Sequence, residues 1–138
     1  MSTNHESLIY TCYGGLSNTG LIAGLSALEA VKEVGLKKAG ISCLASLACD
    51  DKPARKKSES TKAIITVDGC PKECSRRLVE EAGYTPAASI TVTGDTDISK
   101  ISLAKDLDDE PKPVMDYIEP GDIEKVTELI VDAIEENT

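Results

Sequence analysis

The chain alternates between short runs of apolar residues and longer segments in which apolar residues recur at helical spacing. The β-branched and aliphatic runs at 8–13 and 63–67 predict two buried strands, and the run at 89–93 predicts a third. A glycine follows closely after each run, which is typical of a strand that ends in a turn. The pattern therefore predicts at least three strands.

Apolar residues at helical spacing fill the stretches between these runs. Over 19–34 they recur three or four positions apart, and Ser17 or Asn18 is placed to cap the resulting helix. A second helix is predicted to carry Pro71 in its first turn. A third is predicted to start at Asp122 as its cap, with its apolar residues on one face.

Three other segments give weaker patterns. Residues 41–49 alternate as a strand would, but their alanine and leucine content favours a short helix. Residues 50–62 are polar and basic and predict a loop. Residues 95–119, with their prolines and acidic clusters, predict irregular structure with one weak strand near 101–103.

The alternation of strands and helices predicts an α/β fold. We expect a three-layer, Rossmann-like sandwich with a mainly parallel sheet and helices on both faces. Residues 1–138 are expected to form one domain, in which the basic segment 50–62 is a mobile loop. Ligands of such a sheet bind beyond the carboxyl ends of its strands, so a site is expected at that edge.

Charge and aromatic content restrict the partners. The formal net charge is −9 at pH 7, and acidic residues dominate the segment 106–138. Such a surface repels DNA and anionic membranes. The chain has no Trp and no Phe, which disfavours the aromatic stacking platforms that bind single-stranded nucleic acid. We expect neither a nucleic-acid nor a membrane partner; a protein partner stays open, with no identity indicated.

The N-terminal residues show no signal-peptide pattern, and no apolar run approaches the length of about 18 residues that a membrane helix needs. A cytoplasmic location is therefore expected. Thiols stay reduced there, so the five cysteines are interpreted as metal ligands or redox thiols. His5, the only histidine, is expected to be exposed, which argues against Cys–His and Ser–His catalysis.

The densest candidate chemistry follows the strand at 63–67. Asp68 comes next and is expected to cap the following helix or to orient Cys70, with capping favoured. Cys70 and Cys74 are four positions apart near the start of that helix, where the helix dipole favours the thiolate form. Cys12 ends the first strand, so these three thiols converge if the two strands are neighbours.

A fourth thiol would complete a tetrahedral site, and both Cys43 and Cys49 are available. Four thiolates suit zinc or, as the alternative, an iron–sulfur cluster. Each cysteine has a second interpretation as a small buried apolar residue, and for Cys49 that interpretation is favoured. Spacing alone does not decide between these possibilities.

Two enzymatic alternatives involve the same residues. The segment from Cys70 to Arg76 satisfies Cys-x5-Arg, the pattern of phosphatase and arsenate-reductase loops in which arginine and backbone amides bind an oxyanion while the cysteine attacks. Pro71 removes one amide donor, and the loop contains no glycine, which weakens this interpretation. A redox pair of Cys70 and Cys74 would need a distorted helical turn to form its disulfide.

The glycine loop after the first strand matches the Gly-x4-Gly part of a phosphate-binding loop. Leu21 and Ile22 stand where that motif requires lysine and serine or threonine, so nucleotide hydrolysis is not expected. A tight turn that brings the backbone close to the cysteine site explains the glycines equally well.

Three motifs contain most of these residues: Tyr10-Thr11-Cys12-x-Gly14-x-x-Ser17-Asn18-x-Gly20, Cys43-Leu44-Ala45 and Asp68-Gly69-Cys70-Pro71-x-x-Cys74. In this order, over about 8–90, they resemble the DGC-domain family of small bacterial and archaeal proteins, named after the Asp-Gly-Cys motif. The resemblance implies zinc bound by four cysteines, here Cys12, Cys43, Cys70 and Cys74, with Cys49 additional. It implies no established reaction.

Overall fold

Four parallel strands in the order β2-β1-β3-β4 form the centre of the computed structural model, which describes residues 4–138. Helices cover both faces of this sheet. In chain order the elements are β1 (Ser7–Thr11), α1 (Asn18–Val34), β2 (Ala39–Ile41), α2 (Leu44–Ala48), α3 (Lys52–Ser60), β3 (Ala63–Asp68), α4 (Cys74–Glu81), β4 (Ala88–Thr91), α5 (Val92–Asp95) and α6 (Pro120–Asn137), with 3-10 turns at Leu103–Asp106 and Val114–Tyr117.

The register of the sheet places its carboxyl-terminal edge on one line. Thr11 of β1 pairs with Val67 of β3, and Asp68 at the end of β3 pairs with Thr91 of β4. On the other side, β1 pairs in parallel with the short β2. Residues that follow β1, β2 and β3 therefore all emerge at the same edge.

Two separate apolar cores lie on the two faces of the sheet. They arise because alternate residues of a strand point to opposite faces. One core joins the sheet to α1 and α6, and the other joins it to α2, α3 and α4. The first contains Ile9, Ile65, Val67, Ile22, Ala27, Val126, Ile130 and Ile134; the second contains Leu8, Tyr10, Ile64, Leu47, Ala54 and Val79. The predicted α/β class, parallel sheet and three-layer arrangement are confirmed.

The first helix confirms the predicted cap. The Ser17 hydroxyl accepts a hydrogen bond from the Gly20 amide at 3.1 Å, which satisfies one of the free N–H groups at the start of α1. Asn18, the other candidate cap, uses its side chain elsewhere. Its amide group donates to the Ser99 carbonyl at 3.0 Å, and its oxygen accepts from the Ile101 amide at 2.6 Å.

The prediction of a loop over 50–62 is wrong, because most of this segment is α3. Ala54 and Ser58, one helical turn apart, are its buried residues. The Ser58 hydroxyl lies 2.6 Å from the Tyr10 hydroxyl in the core. Two small residues gave too weak an apolar pattern to reveal the helix. The ambiguous segment 41–49 contains both alternatives, since it includes the end of β2 and all of α2.

Two helix starts also differ from prediction. Pro71 precedes its helix, since α4 begins only at Cys74. Glu73 adopts a left-handed conformation with φ of 48°, which is incompatible with a helix that continues through it. The last helix begins at Pro120, so Asp122 lies in its first turn and is not its cap.

The weak strand predicted near 101–103 forms only an isolated bridge between Ser102 and Ser17. His5 is half-buried, contrary to expectation. Its ring contacts Gly40, and its Nδ1 hydrogen-bonds to the Leu36 carbonyl. His5 precedes β1, so it lies at the sheet edge opposite the strand ends that carry the cysteines. None of the helices in residues 4–138 combines the length and the apolar character needed to cross a membrane.

Candidate metal centre

Three of the four cysteines predicted to bind metal meet in one cavity. Cys12 follows β1, Cys70 follows β3, and Cys74 is the first residue of α4. All three line a cavity of about 190 Å³ at the carboxyl-terminal edge of the sheet, together with Asp68. The convergence follows from topology, because β1 and β3 are neighbouring parallel strands in register.

The electrostatic surroundings of Cys12 reflect this convergence. Burial raises the pKa of the Cys12 thiol most strongly, and the negative charges of Cys74, Asp68 and Cys70 raise it further. The Gly14 amide donates to Cys12 Sγ at 3.3 Å, which opposes the rise in pKa. These thiols therefore repel one another as thiolates, and a cation among them would relieve that repulsion.

Cys43, the fourth predicted ligand, lies outside this cavity. It is exposed at the N-cap of α2, where its Sγ accepts a hydrogen bond from the Ser46 amide at 3.4 Å. Hydrogen bonds from the Ser46 hydroxyl and amide lower the pKa of the Cys43 thiol. Cys49, also exposed, is the C-cap of the same helix, so the favoured interpretation of Cys49 as a buried apolar residue is wrong.

The donor set suits a thiophilic ion, but the ligands are not preassembled. All five cysteines have free thiols, and soft thiolates select zinc, copper(I) or iron–sulfur clusters. Within residues 4–138, no three His, Cys, Asp or Glu side chains are arranged as a ready-made metal site. A bound ion would therefore require side chains around the cavity to draw together.

Two glycines allow the loops of the site to touch. A Cβ atom on Gly69 would lie 2.5 Å from the Gly20 nitrogen, and one on Gly20 would lie 2.1 Å from the Tyr13 carbonyl oxygen. Both distances are shorter than any van der Waals contact. The Asp-Gly-Cys turn thus packs directly on the first turn of α1, which is the close backbone approach considered for this glycine loop.

Asp68 acts as the predicted cap. Asp68 is 3% exposed, and its two carboxylate oxygens accept hydrogen bonds from the amides of Ser75 at 2.8 Å and Arg76 at 3.2 Å. These amides lie in the first turn of α4, where no helical carbonyl is available to them. Asp68 therefore fixes the position of α4, and with it Cys74, relative to the end of β3.

Replacing Asp68 with alanine is expected to destabilise the metal-free protein by about 1–2 kcal/mol, since one buried and one partly buried amide lose their acceptor. Asp68→Asn retains one acceptor oxygen and should therefore lose less stability than Asp68→Ala. Urea unfolding followed by circular dichroism measures both losses. Asp97→Ala, at a side chain 91% exposed, is the control and should unfold like the parent. Equal stability of Asp68→Ala and Asp97→Ala would contradict the capping role.

Two lysines lie at the cavity, and sequence reasoning did not identify one of them, Lys100. Lys72 and Lys100 line it, and neither has a carboxylate within ion-pair distance in the part of the chain that the structure describes. Lys100 reaches the site because Asn18 holds the backbone on both sides of it, at Ser99 and Ile101. No local pattern in the sequence reveals this pairing across more than eighty residues.

Arg76 is not placed for the oxyanion role of the Cys-x5-Arg alternative. Its guanidinium group forms ion pairs with Glu73 at 3.2 Å and Glu80 at 2.9 Å, and it does not line the cysteine cavity. Its amide is bonded to Asp68. Neither the guanidinium group nor this amide is therefore directed at Cys70.

The comparison with protein families agrees with the motif. A model of the DGC domain matches residues 8–128, a range that includes all five cysteines and reaches into α6. No curated protein and no solved structure matches the chain significantly. The geometry of the cavity and the family match are therefore the two grounds on which a function can be inferred.

Proposed function

Because the chain belongs to the DGC-domain family, we propose that it binds one metal ion through cysteine thiolates, with zinc as the ion. Cys12, Cys70 and Cys74 are the proposed cavity ligands, and Cys43 is the proposed fourth. The observation that supports the proposal is that three thiols from two distant segments of the chain, at Cys12 and at Cys70 and Cys74, line one cavity. Free cysteines scattered through a structure for packing reasons alone have no need to meet in this way.

Zinc suits this donor set because it takes four thiolates in a tetrahedral arrangement without any redox requirement. Four thiolates and Zn²⁺ leave a net charge of −2. Lys72 and Lys100 at the cavity, and the N-terminal end of α4 at Cys74, supply positive potential against that charge. An iron–sulfur cluster is the alternative occupant of the same thiols.

The position of Cys43 is compatible with its recruitment. It follows β2, the neighbour of β1, and so emerges at the same edge of the sheet as Cys12. Only one residue of α2, Leu47, is buried. A short exposed helix with a single buried anchor can shift at low cost, because little apolar surface leaves the core.

Zinc titration of the metal-free protein under anaerobic conditions tests the proposal. A chromophoric chelator reports affinity, and alkylation followed by mass spectrometry reports the protection of each cysteine. We expect one zinc per chain and protection of the four proposed ligands, with Cys49 still alkylated. Protein that binds neither zinc nor reconstituted iron would refute the proposal. A reversible Cys70–Cys74 disulfide in such protein would favour the redox alternative.

Lys100→Gln is expected to weaken zinc binding about two- to fivefold, as suits the loss of one solvent-screened charge near an anionic site. Lys105→Gln is the matched control, since Lys105 lies outside the cavity. Chelator competition at low and at high salt measures both. Adding salt should reduce the difference between the two variants. Equal affinities at low salt would show that Lys100 does not act on the site.

A further inference from the structure

A groove with an apolar floor lies between α1 and α6, on the opposite face of the sheet from α2–α4. Its volume is about 550 Å³. The 3-10 turn Val114–Tyr117 closes one side through Met115, which is 51% exposed. This groove shares no lining residue with the cysteine cavity. Its apolar lining residues are Leu25, Met115, Pro120 and Ile123.

Glutamates line both walls of the groove. Glu29 and Glu33 are four residues apart on α1, and Glu124 and Glu128 are four residues apart on α6. Like charges at this spacing repel each other along a helix. Of these four glutamates, only Glu29 has an ion-pair partner within residues 4–138, the exposed Lys32 on the same helix. The walls therefore present negative charge with little internal compensation.

We propose that this groove binds a basic amphipathic helical segment of a partner protein. Lysine or arginine side chains of that segment would face the glutamates on both walls, while an apolar side chain would occupy the floor. Leu25 to Glu33 span roughly 12 Å along α1, about two helical turns. That length matches a short bound helix whose contacting side chains lie at positions i, i+3 and i+4 on one face.

Charge and shape favour this occupant over the others. Acidic walls repel nucleic acid and anionic membrane surfaces. The glutamates do not converge as a metal site in the described chain. A second copy of this protein offers the basic helix α3, whose large exposed side chains are polar or charged, so it lacks the apolar anchor that the floor requires.

A labelled synthetic peptide tests the proposal on the full chain, in both metal-free and zinc-loaded protein. The probe is a twelve-residue peptide of leucine and lysine with its leucines at helical spacing, and a leucine–glutamate peptide of the same pattern is the control. We expect micromolar binding of the basic peptide in fluorescence anisotropy and none of the acidic one. NMR chemical-shift changes should be confined to α1, α6 and Val114–Tyr117. Failure of the basic peptide to bind would overturn the proposal, whatever the protein does with zinc.

A matched pair of triple variants separates the groove from general acidity. Glu33→Gln/Glu124→Gln/Glu128→Gln should weaken peptide binding at least tenfold. Asp108→Asn/Asp109→Asn/Glu110→Gln removes the same charge from exposed residues outside the groove and should change binding less than twofold. Equal losses in the two triple variants would show attraction to net charge alone and reject the groove.

The apolar lining of the groove is tested by Met115→Ser, with Leu107→Ser as its control at another exposed apolar residue. We expect Met115→Ser to weaken peptide binding at least threefold and Leu107→Ser to leave it unchanged. Spermidine that binds as tightly as the peptide would identify a simple polycation site and reject the proposal. Concentration-dependent dimers in analytical ultracentrifugation, abolished by Met115→Ser, would assign the groove to a second copy and reject it as well.

Discussion

Cys70→Ser is expected to lower zinc affinity by about a hundredfold or more, while Cys49→Ser leaves affinity unchanged. Structural zinc sites bind with about 10–16 kcal/mol shared among four ligands, so the loss of one thiolate removes several kcal/mol. Cys70 follows the central strand β3 and lines the cavity, whereas Cys49 is exposed at the end of α2. Competition with a chromophoric chelator measures both affinities.

The remaining cysteine variants assign the ligands one by one. Cys12→Ser and Cys74→Ser should behave like Cys70→Ser, because all three thiols line the same cavity. Cys43→Ser decides whether the exposed thiol joins them when zinc binds. A parent-like affinity in Cys43→Ser would limit the protein ligands to three thiols. A parent-like affinity in Cys70→Ser would contradict the proposed site altogether.

The same series separates metal binding from the cysteine-enzyme alternative. Arg76→Ala removes the guanidinium group that the Cys-x5-Arg interpretation requires, yet this group is bound to Glu73 and Glu80 at the surface. It should therefore leave zinc affinity unchanged. Phosphatase or arsenate-reductase activity that Cys70→Ser and Arg76→Ala both abolish would instead support the enzyme.

Three of the four strands were predictable because their signals are local and strong, whereas the three-residue β2 was not. The run at 63–67 is rich in β-branched residues, and all of it is buried in β3. The strand extends one residue further than the run, to Asp68. The cap of α1 at Ser17 was likewise predictable, because such a cap is local. The Ser17 hydroxyl accepts a hydrogen bond from the amide of Gly20, three residues later. Because β1 and β3 are neighbouring parallel strands, Cys12 and Cys70, which follow them, lie at the same edge of the sheet.

Features that depend on contacts between distant residues were not predictable. The helix α4 starts at Cys74 and not near Pro71, because Glu73 is held in a left-handed conformation. The Glu73 carboxylate accepts a hydrogen bond from the Thr91 hydroxyl at 3.0 Å, and Thr91 lies at the end of β4. The placement of Lys100 by Asn18 is of the same kind. Residue spacing cannot reveal such pairs.

The location of Cys43 shows a different limit. Its topological position after β2 was compatible with a fourth ligand, and the structure leaves it exposed at the N-cap of α2. Sequence motifs specify which cysteines occur together, but the distance between their sulfur atoms depends on side-chain orientation and on the ion itself. Cys43 therefore stays a predicted ligand until the zinc titration is done.

Gly69→Ala is expected to destabilise the metal-free protein by about 3 kcal/mol, at the upper end of the cost of overpacking. The added methyl group would meet backbone atoms of Thr19 and Gly20 at 2.5–2.6 Å, and backbone cannot move aside as a flexible side chain can. Only a separation of the Asp-Gly-Cys turn from α1 would relieve the clash. Urea unfolding of the metal-free protein measures the loss.

Gly15→Ala is the matched control from the same site. Gly15 also lines the cysteine cavity, but a Cβ atom there would have nothing within 4 Å. Neither Gly15 nor Gly69 has a positive φ, so the two variants differ in space and not in backbone strain. Gly15→Ala should therefore change stability by less than about 0.5 kcal/mol. If Gly69→Ala is as stable as Gly15→Ala, the two loops do not need their close contact; if it is unstable and also binds zinc poorly, that contact positions Cys70.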